Sequence, residues 1–282
     1  MDIPCLPAFY GAMSMQDQIH TPGDEALAFG LALRRRREAR RMSQLDLALT
    51  CDVSARHISF LESGRAAPSR AMVLKLAAGL LMPRSATNAL LTAAGFAAVY
   101  PVTPMDAGIM EPFRAMLAFM MARHEPYPAI LCDRHWNVRD ASPAAVALLS
   151  VLETGEGEVN LIRMITSEGP VTDVVVNLPE VLVEMRNRMQ LEALEAGHDP
   201  ELEDLIGRLE TACLREGVGL DTQRRNPLVP LIMTTPYGQL SFLSAIAHFG
   251  TSEDVSIRDL RLELMFPADD FTRAVLEKPP WA

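Results

Sequence analysis

Basic and hydrogen-bonding side chains are gathered in one stretch of this 282-residue chain. Six arginines stand between Arg34 and Arg41, and Arg56 and Arg65 follow among Ser54, Ala55, His57, Ser59 and Phe60. A guanidinium can pair bidentately with the edge of guanine, so Arg56 is the candidate for reading a base. Ser59 can bond a base or a phosphate. Phe60 suits a thymine methyl, or else packs against a neighbouring helix. Gln44 stands at the start of a helical segment, where unpaired amides favour phosphate. Ala55 shares the face of Arg56; Ser54 and His57 flank it, and Arg65 lies just beyond, within reach of phosphate. The arginine run cannot share a single helical face, so part of it is solvated.

These side chains need short helices to hold them. Ser43-Gln44-Leu45-Asp46 has the form of a capping box, with Ser43 covering exposed amides and Asp46 reaching back. The helix it starts ends near Cys51-Asp52, and the next begins at Ser54, so the two must cross steeply in helix-turn-helix geometry. On the second helix Ile58 and Leu61 face inward with Val53 as an anchor, while residues 55, 56, 59 and 60 share the opposite face. Gly64 suits a left-handed C-cap, and Pro68-Ser69 begins the next helix, Arg70–Leu80.

The runs Leu33-Arg34-x-x-Arg37, Met42-Ser43-Gln44-x-x-Leu47-Ala48 and Val53-Ser54-x-x-x-Ile58-Ser59-x-x-Glu62-x-Gly64-x-x-x-Pro68-Ser69 resemble the XRE (phage repressor and Cro-like) helix-turn-helix family over residues 26–82. The resemblance implies a five-helix all-α domain, completed by Arg84–Phe96, whose helix from Ser54 enters the major groove. It also implies an internal ion pair between Arg37 and Glu62. In this family the position of Gln44 touches the DNA backbone and sometimes a base.

Net charge follows the same division. The total is −10, yet residues 1–100 hold 11 Lys+Arg against 8 Asp+Glu, a net of +3. Residues 101–282 hold 15 against 28, a net of −13. A protein that coats nucleic acid without specificity is excluded by that balance; a small basic module is not. Cys5, Cys51, Cys132 and Cys213 form no CxxC, which fits a reducing cytoplasm. The longest apolar runs are far short of a bilayer helix, so no membrane role is expected. The histidines show no paired metal spacing, and neither a phosphate loop nor GxSxG is present, so no catalytic residue, metal ligand or cofactor is expected.

Residues 1–23 read as an N-terminal arm, 24–100 as the helical reader, and 101–282 as a mixed unit after the break at Pro101 and Pro104. In that unit Ala129–Asp133 and Trp136–Asp140 read as strands, Pro143–Leu152 as a helix, and residues 155–170 mainly as loop. Glu180–Glu195 and Glu201–Arg215 read as helices, Val229–Thr235 and Gln239–Phe249 as strands around a turn. Leu260, Leu262, Leu264 and Phe266 alternate with Arg261, Glu263 and Met265, the pattern of a half-buried strand, and Ala268–Lys278 closes as a helix.

This order resembles an α/β PAS-type sensor. Tyr127-Pro128-Ala129-x-x-x-Asp133-Arg134-x-Trp136-Asn137-Val138, with Thr235-Pro236-x-Gly238-x-Leu240 and Phe266-Pro267-Ala268-Asp269, resembles the MmyB-like ligand-binding domain. The resemblance implies a small apolar effector, a fatty acid or fatty acyl compound. Met105, Met110, Met116, Met120 and Met121 could line its site or form core or dimer interface. An acid head group would want a cation; Arg186 is named for it, with Arg163 and Arg188 nearby, and Trp136 as a pocket wall. The expected protein is a homodimeric regulator on a two-fold operator in double-stranded DNA. The alternative is a DNA-binding adaptor whose C-terminal part only dimerises or recruits a protein.

Overall fold

A computed structural model describes residues 22–151, 158–196, 199–219, 228–250 and 253–278. The arm expected over residues 1–23 lies almost wholly outside them. Five helices come first: α1 (Pro22–Ala39), α2 (Gln44–Thr50), α3 (Ala55–Glu62), α4 (Arg70–Gly79) and α5 (Arg84–Ala93). Serines set three of the starts. The Ser43 hydroxyl accepts from the Asp46 amide while the Asp46 carboxylate accepts from the Ser43 amide, completing the capping box. Ser54 and Ser69 accept in the same way from the amides of His57 and Met72. Gly64 ends α3 at φ +71°, where a Cβ would be strained.

Apolar residues at helical spacing on these helices bury together, among them Phe29, Leu33, Leu47, Ile58, Leu61 and Leu91. A Cβ on Gly30 would lie 2.5 Å from the Leu61 carbonyl oxygen, so α1 rests directly on the end of α3.

The connection onward is tied at both ends. The Asn88 side chain on α5 accepts from the amides of Val99 and Tyr100 and donates to the Tyr100 carbonyl. Further along, the Thr103 hydroxyl donates to Asp254 at 2.5 Å, and the Val255 amide donates to the Pro101 carbonyl.

Beyond a 3₁₀ turn at Gly108–Met110 come α6 (Glu111–His124), β1 (Ala129–Cys132), β2 (Val138–Ala141), α7 (Pro143–Ser150), α8 (Leu161–Thr166) and α9 (Pro170–Val174). Then follow α10 (Leu178–Ala196), α11 (Pro200–Arg215), β3 (Leu231–Thr235), β4 (Gly238–His248), α12 (Val255–Arg258), β5 (Arg261–Pro267) and α13 (Asp270–Glu277). The strands form one antiparallel sheet in the order β2-β1-β5-β4-β3, so the last strand pairs with the first. An all-α helix-turn-helix unit followed by an α/β PAS-like sensor is therefore the architecture, as the sequence led one to expect.

Side chains alternate across the sheet. Ile130 and Cys132 join a core with Ala145 of α7, Leu182 of α10 and Leu205 of α11. Ala129 and Leu131 face the other way, onto Leu117 and Met121 of α6. As far as Met265 both faces of β5 are at least partly covered: Leu262 packs on the α6 side, while Arg261 and Met265 are buried too; Phe266 is exposed. The half-buried pattern expected for this strand is corrected accordingly.

Two further expectations change. Residues 155–170 are not mainly loop where they are described, because Leu161–Thr166 is helical. Asn160 caps it by accepting from the amides of Ile162 and Arg163, and Ile162 is fully buried. The second strand starts at Val138 rather than Trp136, because Trp136 sits at φ +65° in a turn.

Candidate nucleic-acid interface and apolar cavity

Three structural devices hold the outward face of α3. Arg37 donates to both carboxylate oxygens of Glu62, at 2.6 and 2.9 Å, and to the Met42 carbonyl at 2.7 Å, which locks α1 to α3 and to the turn before α2. Gln44 also donates to Glu62, at 2.9 Å, so this side chain is held at the start of α2. Inward, Ile58 and Leu61 are fully buried.

Arg56 is exposed, with its guanidinium 5.2 Å from the centre of the Phe60 ring. A cation held over an aromatic face is ordered without losing its donor edge. Ala55, His57, Ser59 and Phe60 are half-buried on or beside that face, and Arg65 is exposed just past Gly64. The Ser54 hydroxyl is engaged as the cap of α3. Within the arginine run, Arg34 pairs with Glu38 and Arg40 reaches the Leu81 carbonyl.

In the α/β unit an apolar cavity lies between the sheet and the helices on its first face. Its volume is ≈ 150 Å³. Ile130, Trp136, Met164, Val175 and Met233 are among its walls. From α10 it takes Val181, Glu184, Met185 and Arg188, a stripe at helical spacing. Arg186 is buried on another side of α10 and donates to Asn187, so Arg188 is the arginine at the cavity. The methionines of residues 105–121 are not in the lining. Met121 is buried on the α6 side of the sheet with Met105 and Met120 against it, because the strand period sends α6 and the cavity to opposite faces.

Trp136 is 1% exposed and its indole N–H has no hydrogen-bond partner among the described residues. The turn that carries it is held from several directions. Asp133 accepts from the amides of His135 and Asn137 and from the Asn137 side chain. The Asn160 amide group donates to the His135 carbonyl, and the Leu161 amide to the Trp136 carbonyl. A left-handed backbone at a bulky residue costs about 1–2 kcal/mol, which these bonds offset.

The same turn reaches the helical unit. Arg134 donates to the Ser85 hydroxyl on α5 at 2.9 Å and pairs with Asp199 at 2.6 Å. His135 lies between Asp199 and Glu201, each 3.1 Å from a ring nitrogen. Burial lowers its pKa, but the Asp199 hydrogen bond and the two carboxylates outweigh this and raise it. Arg84, beside Ser85, pairs with Glu253.

The sequence assigns no role to Arg134, Ser244 or Glu263, and names Arg188 only beside Arg186. Arg186 and Arg188 point to opposite sides of α10, and only the packing says which side meets the cavity. The spacing of Val181, Met185 and Arg188 was the available signal. Among the described residues, no cluster of three His, Cys, Asp or Glu could hold a metal, and no helix is long and apolar enough to cross a membrane.

Comparison with known families agrees with both units. Residues 33–81 match the helix-turn-helix family model, and residues 113–278 match the MmyB-like transcription regulator ligand binding domain. No curated protein matches the chain. Both families are DNA-binding or ligand-binding modules and neither is an enzyme. With over half its length matched and a reader helix ahead of an apolar cavity, the chain belongs to the MmyB-like transcription regulators, DNA-binding proteins with a ligand-binding domain.

Proposed function

We propose that this regulator is a one-component switch: the reader binds a two-fold operator as a homodimer, and the cavity senses a fatty acid or fatty acyl compound. In this reading residues 24–100 form the reader, residues 101–282 sense and dimerise, and the protein works in the cytoplasm. A dimer presents two copies of α3 to successive major grooves. Arg56 reads a guanine edge, Ser59 and Phe60 meet neighbouring bases, and Gln44, Ser54, Ala55, His57 and Arg65 surround them near phosphate. Trp136 forms part of the effector site. Arg186 lies outside the cavity lining, so Arg188 takes its place at the effector.

One observation carries the reading. Trp136 lines the cavity, while Arg134, two residues earlier, bonds to Ser85 on the last reader helix. Movement of the turn on effector binding therefore bears directly on the reader. The mostly apolar lining supports the same view, since it offers a concave surface suited to a hydrocarbon chain.

The test is an operator titration with and without a long-chain amphiphile. Affinity is expected to shift with the amphiphile and to fall steeply with salt. Arg134→Ala should keep both bindings and lose the shift. Arg56→Ala should cost about 1–3 kcal/mol of operator affinity and relax one base position. An operator affinity indifferent to every amphiphile that binds would refute the switch.

A further inference from the structure

The polar end of the cavity holds more acid than base. Arg188 pairs with Glu184 at 3.3 Å, one turn away on α10. Arg261, beside the same Trp136 ring, pairs with Glu192 at 2.6 Å. Each arginine thus already has its carboxylate. Arg261 and Glu192 lie outside the lining, so Glu263 is the second carboxyl at the cavity, after Glu184; it hydrogen-bonds Ser244 on the neighbouring strand β4. Arg188 attracts it and Glu184 repels it. On its other side in the sheet it is paired with Ile130 of β1, which carries no charge. Burial, more than any other cause, pushes the Glu263 carboxyl above its ordinary range, and this favours the neutral acid, which can donate a hydrogen bond as well as accept one. Trp136 lines the same cavity, and its N–H is buried and without a partner among the described residues. A buried donor left unpaired is costly, which argues for an acceptor from a bound molecule.

Resting on the reading of this cavity as the effector site, we infer that its polar end selects a neutral head group with both a hydrogen-bond donor and an acceptor. An alcohol or primary amide on a long apolar chain has this chemistry; a free fatty carboxylate does not, which narrows the long-chain effector proposed above to its neutral forms. The head group's oxygen accepts from Trp136, and its hydroxyl or amide hydrogen donates to Glu263 or Ser244. A carboxylate would have to share Arg188 with Glu184 and face Glu263 besides. It would enter only while Glu263 is protonated, and raising the pH would expel it.

Trp136 itself can report binding, since Trp281 is the only other tryptophan. The full-length Trp281→Phe protein is titrated with dodecanol, dodecanamide and dodecanoate below their aggregation limits, following Trp136 fluorescence. Dodecanol and dodecanamide are expected to bind about tenfold or more tighter than dodecanoate. As the pH is raised dodecanoate should weaken while dodecanol stays level. Glu263→Gln should tighten dodecanoate and narrow the gap. Dodecanoate binding as tightly as the neutral pair, or without pH dependence, overturns the head-group inference and leaves an apolar effector standing. If none of the three binds, the effector reading itself fails.

Discussion

The reader and the sensor bury charge in opposite ways. In the reader, Glu62 receives three side-chain hydrogen bonds from Arg37 and Gln44, and α1 lies so close on the end of α3 that a Cβ at Gly30 would meet the backbone of Leu61 and Glu62. In the sensor, Arg188, Glu184 and Glu263 share the end of an apolar space, and a buried tryptophan donor has no partner among the described residues. A satisfied polar network inside a filled core specifies one geometry. An incompletely satisfied one beside open space is arranged for something that enters. The difference separates a DNA-binding module that holds a surface fixed from a ligand-binding module with room for another molecule.

The largest expected effect is in the reader. Glu62→Ala strands the buried Arg37 guanidinium and should cost about 3–5 kcal/mol, read by chemical denaturation of the helical unit. A smaller contrast sets added volume in the two units against each other. Gly30→Ala puts a methyl against the Leu61 carbonyl and should destabilise by about 1–3 kcal/mol. Val181→Phe puts a larger group into the cavity wall, so stability should stay within about 1 kcal/mol while amphiphile binding is lost. If Val181→Phe proves as damaging as Gly30→Ala, the cavity is not open space in solution and the contrast collapses.

The smallest effect concerns the turn between the two units. The pKa of His135 is raised in the folded protein, so its stabilising contacts are complete below the unfolded value of about 6.5 and are lost as pH rises through the folded value. Urea unfolding followed from about pH 5.5 to 8.5 should show a loss below about 1 kcal/mol that His135→Gln removes. A pH profile that the substitution leaves unaltered would show that another group sets it.

Much of the reader was legible because its signals are local. Ser43, Ser54 and Ser69 cap helices within three residues of themselves, and Gly64 needs only its own backbone angle. The Arg37–Glu62 pair came from family resemblance and is present at 2.6 Å. In the sensor the strands were found within a residue or two, since alternation is local too, but their surroundings were not. Arg261, Glu263 and Met265 look like the outer face of a strand until helices from elsewhere in the chain cover them. The short helix after Asn160 was hidden among glycines, although its cap and its apolar residues were there to read.

The sequence by itself determined the kind of protein: a basic helix-turn-helix with Arg56 outward, a proline-stiffened link and an acidic α/β unit. Capping, helical spacing and strand alternation act over a few residues, so the chain carries them wherever it folds. Only the tertiary structure decided that Arg188 rather than Arg186 meets the cavity, that the methionines of α6 lie across the sheet from it, and that Arg134 reaches Ser85. Those facts depend on which helix face meets which side of the sheet, and that is settled by burial summed over segments far apart in the chain.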